Sequence, residues 1–365
     1  LIYLTAKSII AARRPFEPMR TVVTIAQIAE AAGVSTATVD RVLNRRSGVN
    51  ADTVDRVNAA VRQLGSSAVV RGRPRVRTYR FAYVLPALAL PFFDTVDRLI
   101  AQSAGEFRHS HITELTHRLD ATDPAAFAAQ LAQLNDSDGI ALLGPDVPAV
   151  KLAINDLVRT GVHVVTLFSD VAGAMREAFI GADNLAAGRV AGLLLARMLG
   201  PATRKRPLRV GLLSPATRFA AQIERRIGFA QALEERAPLV EVVRVTDLPE
   251  TEAAARDAAR VWLATLDDTR RLAGIYTVGA GTAGIAQAVA EAELATPEFG
   301  LIAHDLTESH RGLLVSGALS YVLRQDVHYG VMNAAKVLRA LCEGVRGALS
   351  VVQPKVEILT AENLA

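Results

Sequence analysis

Residues 22–65 read VVTIAQIAEAAGVSTATVDRVLNRRSGVNADTVDRVNAAVRQLG, and their spacing predicts three short helices, the first two joined by a tight turn. Ile25, Ile28, Ala29 and Ala32 recur at helical spacing and give the first helix one apolar stripe. Gly33 stands where a helix ends in a left-handed residue, a conformation that no Cβ obstructs in glycine. Ser35 offers an N-cap oxygen to a second helix running to about Asn44. That helix turns Val39, Val42 and Leu43 inward, which leaves Thr36, Ala37, Asp40 and Arg41 on its free face. A short helix with small polar residues and an arginine facing outward suits the major groove of DNA.

The run from Thr24 to Ala29, the turn Ala32-Gly33-Val34-Ser35 and the run Thr38 to Asn44 together resemble the helix-turn-helix headpiece of the LacI/GalR family of bacterial transcription regulators. The resemblance implies a homodimer that presents two headpieces to a pseudo-palindromic double-stranded operator. On that pattern Thr36, Ala37 and Arg41 read bases, Arg41 gripping a guanine edge. Thr24, Ser35, Thr38, Asn44 and Asn50 hold phosphates and fix register.

Composition agrees with a basic head on a mildly acidic body. Of the 365 residues, 1–80 hold 14 Lys+Arg against 5 Asp+Glu, and the remainder holds 27 against 32. Segregated positive charge is the electrostatic footprint of a segment that touches phosphates. No run of eighteen apolar residues occurs, so a membrane span is not expected. A single cysteine, Cys342, excludes an internal disulfide and suits a reducing, cytoplasmic setting. Residues 1–21 form an N-terminal extension that begins with Leu, carries no cleavage-site pattern, and contains Met19, the expected start of translation.

A linker over 66–78 contains Arg71, Arg73, Arg75 and Arg77, with Gly72 and Pro74 opposing a long helix. In the LacI/GalR family this position holds a hinge helix that wedges a leucine into the minor groove. The family's Tyr-x-Pro-Asn opening and Ala-x-x-Leu pattern are missing here. Two readings stay open: Val69 or Val70 as the wedge, or a flexible basic tether.

From Tyr79 the pattern changes to apolar strands alternating with Ala- and Leu-rich helices. Strands are expected at Phe81–Leu85, Ile112–Thr116, Gly139–Leu143, Val162–Leu167, Leu208–Leu213, Val240–Val245, Ala273–Val278, Gly300–Ala303 and Leu319–Leu323. Helical stretches include Ala125–Leu134, Ala186–Leu199 and Ala283–Ala292. This alternation predicts an α/β class with two parallel sheets, each covered on both faces. The resemblance places the helical headpiece ahead of a two-lobed, periplasmic-binding-protein-like effector domain over 79–365. Its first lobe takes about 79–183 and 326–352, its second about 184–325 and 353–365.

The resemblance also implies an effector, a sugar or polyol, and which residues meet it. Phe92 and Phe93 follow the first strand, where related proteins stack a ring on a sugar. Arg225 aligns with the family's ligand-binding arginine and opens a helix after Leu208–Leu213. Asp305 closes a strand, where a carboxylate accepts from two hydroxyls. Asp170 and Thr282 occupy secondary positions, and Gln325 sits near a crossover between lobes. Leu90, Phe168-Ser169 and Gly281-Thr282 depart from the sugar-binding pattern and make the pocket less polar.

One motif points elsewhere. Gly279-Ala280-Gly281-Thr282-Ala283-Gly284 matches G-x-G-x-x-G between a strand and a helix, with Asp305 about twenty residues on. It supports an alternative, a dinucleotide-binding oxidoreductase or redox-sensing regulator. The motif falls late in the chain, however, without a His-Asp or Tyr-Lys constellation, and an enzyme has no use for residues 22–65. His109, His111, His117 and Glu114 read as solvated surface rather than metal ligands. No enzyme activity, cofactor or metal is expected. The segment after Glu357 carries no leucine heptads, which favours a dimer over a tetramer.

Overall fold

In a computed structural model, residues 23–44, 46, 48–64, 78–106, 111–199, 202–203, 205–216, 218–345 and 352–364 are described. Met19, the extension over 1–21, the linker valines and arginines, and His109 lie outside them. The chain divides into two compact units at Arg77/Thr78.

In the first unit, α1 (Ile25–Ala32), α2 (Thr36–Leu43) and α3 (Ala51–Gln63) enclose Ile28, Ala29, Ala32, Val39, Val57 and Ala60. Each helix starts on a side-chain cap, because its first amides have no partner within the helix. Thr24 caps α1 in a reciprocal capping box with Gln27. Ser35 accepts from the Thr38 amide at 3.1 Å. Asn50 accepts from the Thr53 amide at 2.8 Å. Gly33 ends α1 in the left-handed region, with φ 62°. Arg56 of α3 donates to the carbonyls of Ala32 and Gly33, so the third helix closes the turn.

The second unit begins with β1 (Tyr79–Pro86), α4 (Pro91–Glu106), β2 (Ile112–Leu119), α5 (Pro124–Ala132), β3 (Gly139–Leu142), α6 (Pro148–Arg159), β4 (His163–Leu167) and β5 (Ala178–Ile180). These strands form a five-stranded sheet in the order β2-β1-β3-β4-β5, parallel throughout. The second lobe contains α7 (Asn184–Leu199), β6 (Leu208–Leu213), α8 (Ala220–Arg236), β7 (Val240–Val245), α9 (Glu252–Ala264), β8 (Arg271–Thr277), α10 (Thr282–Glu291), β9 (Gly300–His304), α11 (Glu308–Val315) and β10 (Tyr321–Arg324). Then α12 (Val327–Cys342) returns to the first lobe, and β11 (Glu357–Leu359) goes back to the second. The second sheet runs β11-β10-β9-β8-β6-β7, antiparallel only at β10–β11.

Burial explains why α12 belongs with the first sheet. Its Val331, Ala334, Ala335 and Leu338 join Phe81, Tyr83 and Leu167 in one apolar cluster, and the Tyr83 hydroxyl donates to the Val331 carbonyl at 3.0 Å. The expected strands are present. They differ at their ends, as when Leu319–Leu323 becomes Tyr321–Arg324, and the short β5 and β11 are additions. Among the described residues, no helix is long and apolar enough to cross a membrane.

Two glycines hold α7 against α8 at backbone distance. A Cβ on Gly188 would lie 2.0 Å from the Arg225 carbonyl oxygen, and one on Gly228 would lie 2.1 Å from the Leu185 carbonyl oxygen. Gly188→Ala must therefore push α8 outward and is expected to cost about 1–3 kcal/mol, read by denaturant unfolding. Gly312→Ala, whose methyl group would meet nothing within 4 Å, should cost far less. Equal stabilities would refute the close-approach account.

Candidate functional site

On the first unit, Thr36, Ala37 and Arg41 are exposed along α2. Among the described residues none of their side chains is tied to a partner. The phosphate candidates differ. Thr24, Ser35 and Asn50 are N-caps, Thr38 shares its hydroxyl with Ser35 at 2.9 Å, and Asn44 donates to Asp40 at 2.8 and 2.9 Å. The Ser35 and Asn44 bonds fix the two ends of α2, and the Thr24 and Asn50 caps fix its neighbours, so its free face stands on a locally determined frame.

On the second unit, a cavity of about 990 Å³ opens between the lobes, within the size range of small-molecule sites. It sits at the carboxyl ends of the strands, where both sheets reverse their order: beside β1 and β3 in one lobe, β6 and β8 in the other. The first lobe contributes carbon. Leu88, Leu90, Phe92 and Phe168 line it, and Phe92 meets Phe168 edge to face with centroids 5.7 Å apart. Phe93 reaches the wall but is buried in the lobe core. The second lobe contributes charge through Arg218, Arg225, Arg226, Glu250 and Asp305.

Arg225 is the centre of this arrangement. Helix α8 starts at Ala220, with Phe219 as N-cap, so Arg225 lies in its second turn rather than opening it. Its Nε donates to Asn184 Oδ1 at 2.9 Å, and Asn184 donates to the Phe168 carbonyl at 3.2 Å. Arg225 Nη1 lies 4.0 Å from Asp305 Oδ2. Asp305 Oδ1 accepts from Gln325 Nε2 at 3.1 Å. One polar path thus joins the crossover at Asn184 to the crossover at Gln325. Asn184 was not among the expected effector contacts; its place as the first residue of α7, where the chain crosses between lobes, was the available signal. Ser169 Oγ accepts from the Ala221 amide at 3.2 Å and links the lobes beside the cavity.

Burial pushes the Asp305 carboxyl up, against the pull of Arg225 and Gln325. His304, beneath it, is held well below the usual imidazole range by burial and by the positive charge of Arg225, and its Nε2 meets the Tyr276 hydroxyl. Glu250 is also pushed up by burial, opposed by hydrogen bonds with Ala280 and Gln222.

Two expected residues fall outside the cavity wall. Asp170 is held in a bidentate pair by Arg176, at 2.7 and 2.6 Å, and accepts from Thr166 at 2.6 Å. It fastens a loop of the first lobe. Thr282 is fully buried at the start of α10, with its hydroxyl unpartnered among the described residues.

The glycine fingerprint has a packing explanation. Gly281 is the left-handed N-cap of α10, and a Cβ there would lie 2.5 Å from Ala255 Cβ. A Cβ on Gly284 would lie 1.9 Å from the Glu252 carbonyl oxygen. The Gly284 amide donates to Glu252 Oε2 at 2.7 Å. A carboxylate of the chain therefore occupies the helix-start position that a pyrophosphate would need, and the glycines allow α9 and α10 to touch. Among the described residues, no group of three or more His, Cys, Asp and Glu is placed to hold a metal ion.

His304 gives a pH test. Its folded-state value is depressed, so the unfolded chain binds more protons once pH falls below about 6.5. Stability should be level above that range and fall as pH drops from 7 towards 5, with His310, also held down by burial, acting in the same direction. The fall in Tm should be smaller in His304→Gln. An equal fall in both proteins would remove His304 as a cause.

Residues 81–345 match the periplasmic binding protein domain family, and residues 24–66 match the bacterial regulatory proteins of the lacI family. Catabolite control protein A of Staphylococcus xylosus is 29% identical over 146 residues, covering 39% of this chain and 43% of that protein. The HTH-type transcriptional regulator MalR of Streptococcus pneumoniae is 30% identical over 191 residues, 44% of this chain and 58% of that protein. The chain spans about half the length of these curated relatives. Among solved structures, GanP, a glucose-galactose binding protein from Geobacillus stearothermophilus, superposes with a TM-score of 0.68 at 21% identity, covering 79% of this chain and 99% of that one. The larger unit of the chain belongs to the periplasmic binding protein domain family, and ahead of it stands a segment of the lacI family of bacterial regulatory proteins.

Proposed function

We propose that the chain is a sequence-specific DNA-binding transcriptional regulator, a repressor whose operator affinity is set by a small ligand held between its lobes. The observation that carries this reading is the pairing, in one chain, of a capped helix-turn-helix with an exposed Arg41 and a cavity, apolar on one wall and charged on the other, at the sheet switch points. A homodimer working in the cytoplasm would place one α2 in each half of a pseudo-palindromic operator. Thr36, Ala37 and Arg41 face the base edges, while Thr24, Ser35, Thr38, Asn44 and Asn50 hold phosphates. Phe92, Arg225, Asp305 and Gln325 contact a sugar-like effector, Phe93 backs the aromatic wall, and Asp170 and Thr282 act from behind it. Ligand binding changes the spacing or order of the headpieces through its differential affinity for two lobe arrangements. MalR, an HTH-type transcriptional regulator by name, and catabolite control protein A support the DNA-binding half.

Two substitutions separate the halves. Arg41→Ala should relax discrimination at one operator position by about 1–3 kcal/mol, measured by competition binding to operators varied one base pair at a time. Unchanged discrimination would sink its base-reading role. Asp305→Ala should abolish the ligand response while operator binding stays intact, and a normal response would remove Asp305 from the site.

A further inference from the structure

Hydrogen-bonding capacity along the cavity wall is unevenly spent. The Arg225 side chain is only 7% exposed, yet among the described residues its single hydrogen bond runs from Nε to Asn184. Asp305 stands off at 4.0 Å, beyond hydrogen-bond reach. The remaining guanidinium N–H groups have no hydrogen-bond partner among the described residues, and Arg225 lines the cavity. Arg226, half-buried, and Arg218, at the rim, line the same wall, and neither forms an ion pair among the described residues.

The acids of the wall are differently placed. Glu252 is occupied by the Gly284 amide. Glu250 is held by Ala280 and Gln222, with its carboxyl pushed up by burial. Asp305 is similarly pushed up and holds Gln325. The carboxyls that share this wall are thus engaged within the chain, which leaves guanidinium charge on Arg225, Arg226 and Arg218 for an incoming group to meet. Two acceptors are also open: Gln222 Oε1 and Gln325 Oε1 are buried without a hydrogen-bond partner among the described residues. Hydroxyl groups would satisfy them. Opposite lies the apolar wall of Leu88, Leu90 and Phe92, fit for the carbon face of a ring or chain.

We infer that the effector is a polyhydroxylated anion, a sugar acid or a sugar phosphate, whose negative group is held by Arg225, Arg226 and Arg218 while its hydroxyls reach Gln222, Gln325 and Asp305. This rests on the ligand-controlled reading above and narrows its ligand class. An oxyanion matches the planar fork of a guanidinium with two parallel hydrogen bonds, and a carboxylate and a phosphate share that chemistry.

The test is calorimetric titration of the full chain with D-glucose, D-gluconate, D-glucuronate and D-glucose 6-phosphate, together with D-arabinose and D-arabinonate. An acid should bind about tenfold or more tightly than its neutral parent, with an affinity that weakens as salt is raised. Binding by a carboxylate or by the phosphate identifies the source of the anion. In Arg226→Gln the ratio of acid to neutral affinity should fall, and Arg226→Lys should restore part of it; an unchanged thermal unfolding transition of the larger unit shows that both variants fold. A neutral sugar binding as tightly as its acid, or an unchanged ratio in Arg226→Gln, would overturn this inference alone. No response to any compound would overturn it together with the sugar-responsive reading beneath it.

Discussion

Arg225 buries a positive charge at the base of the interlobe cavity, and such a charge persists only where polar groups surround it. Its neighbours come from far apart in the chain: Asn184 at one crossover, Asp305 after β9, and Gln325 at the other crossover by way of Asp305. The guanidinium is held at this depth because α7 and α8 approach to backbone contact, which Gly188 and Gly228 permit. Lobe connection, helix packing and cavity chemistry therefore share one cause. A change in any of the three must be felt by the other two.

The small unit follows a different logic. Among the described residues its core holds six buried side chains, and small cores leave little stability in reserve. Local bonds supply definition instead: the caps at Thr24, Ser35 and Asn50, and the Arg56 guanidinium over the end of α1. Such bonds act within a few residues or between adjacent helices. They determine the orientation of α2 without calling on the larger unit.

This difference governs what could be read from sequence. The Ser35 cap and Gly33 were legible because each is a local residue-type requirement, whereas Thr24 and Asn50, read as phosphate contacts, proved also to be caps. Strands such as Leu208–Leu213 and Val240–Val245 were legible because burial on both faces writes a continuous apolar run. The three-residue β5 and β11 were not, since neither contains enough residues to show a period. Arg225, Asp305 and Gln325 could be placed by resemblance, but their mutual distances depend on the folding together of segments a hundred residues apart. Asp170 lies off the cavity wall for a related reason. Its pairing with Arg176, six residues on, competes with any role at the cavity, and sequence does not reveal which use wins. The glycine fingerprint shows the reverse problem, because the need for a bare Cα beside a phosphate and beside a neighbouring helix writes the same letters.

The two lobes repeat one plan, with the strand orders β2-β1-β3-β4 and β7-β6-β8-β9. Each plan places a non-glycine residue in the left-handed region just after its fourth strand: Phe168 with φ 61° and Asp305 with φ 59°. Backbone strain of this kind costs on the order of 1 kcal/mol or more at each site, and here it is retained twice at matching positions. What differs is the side chain, an aromatic ring in one lobe and a carboxylate in the other. A duplicated scaffold has thus been given unlike halves, and a molecule lodged between them is gripped as an object with a front and a back. Orientation, as well as occupancy, is written into the repeat.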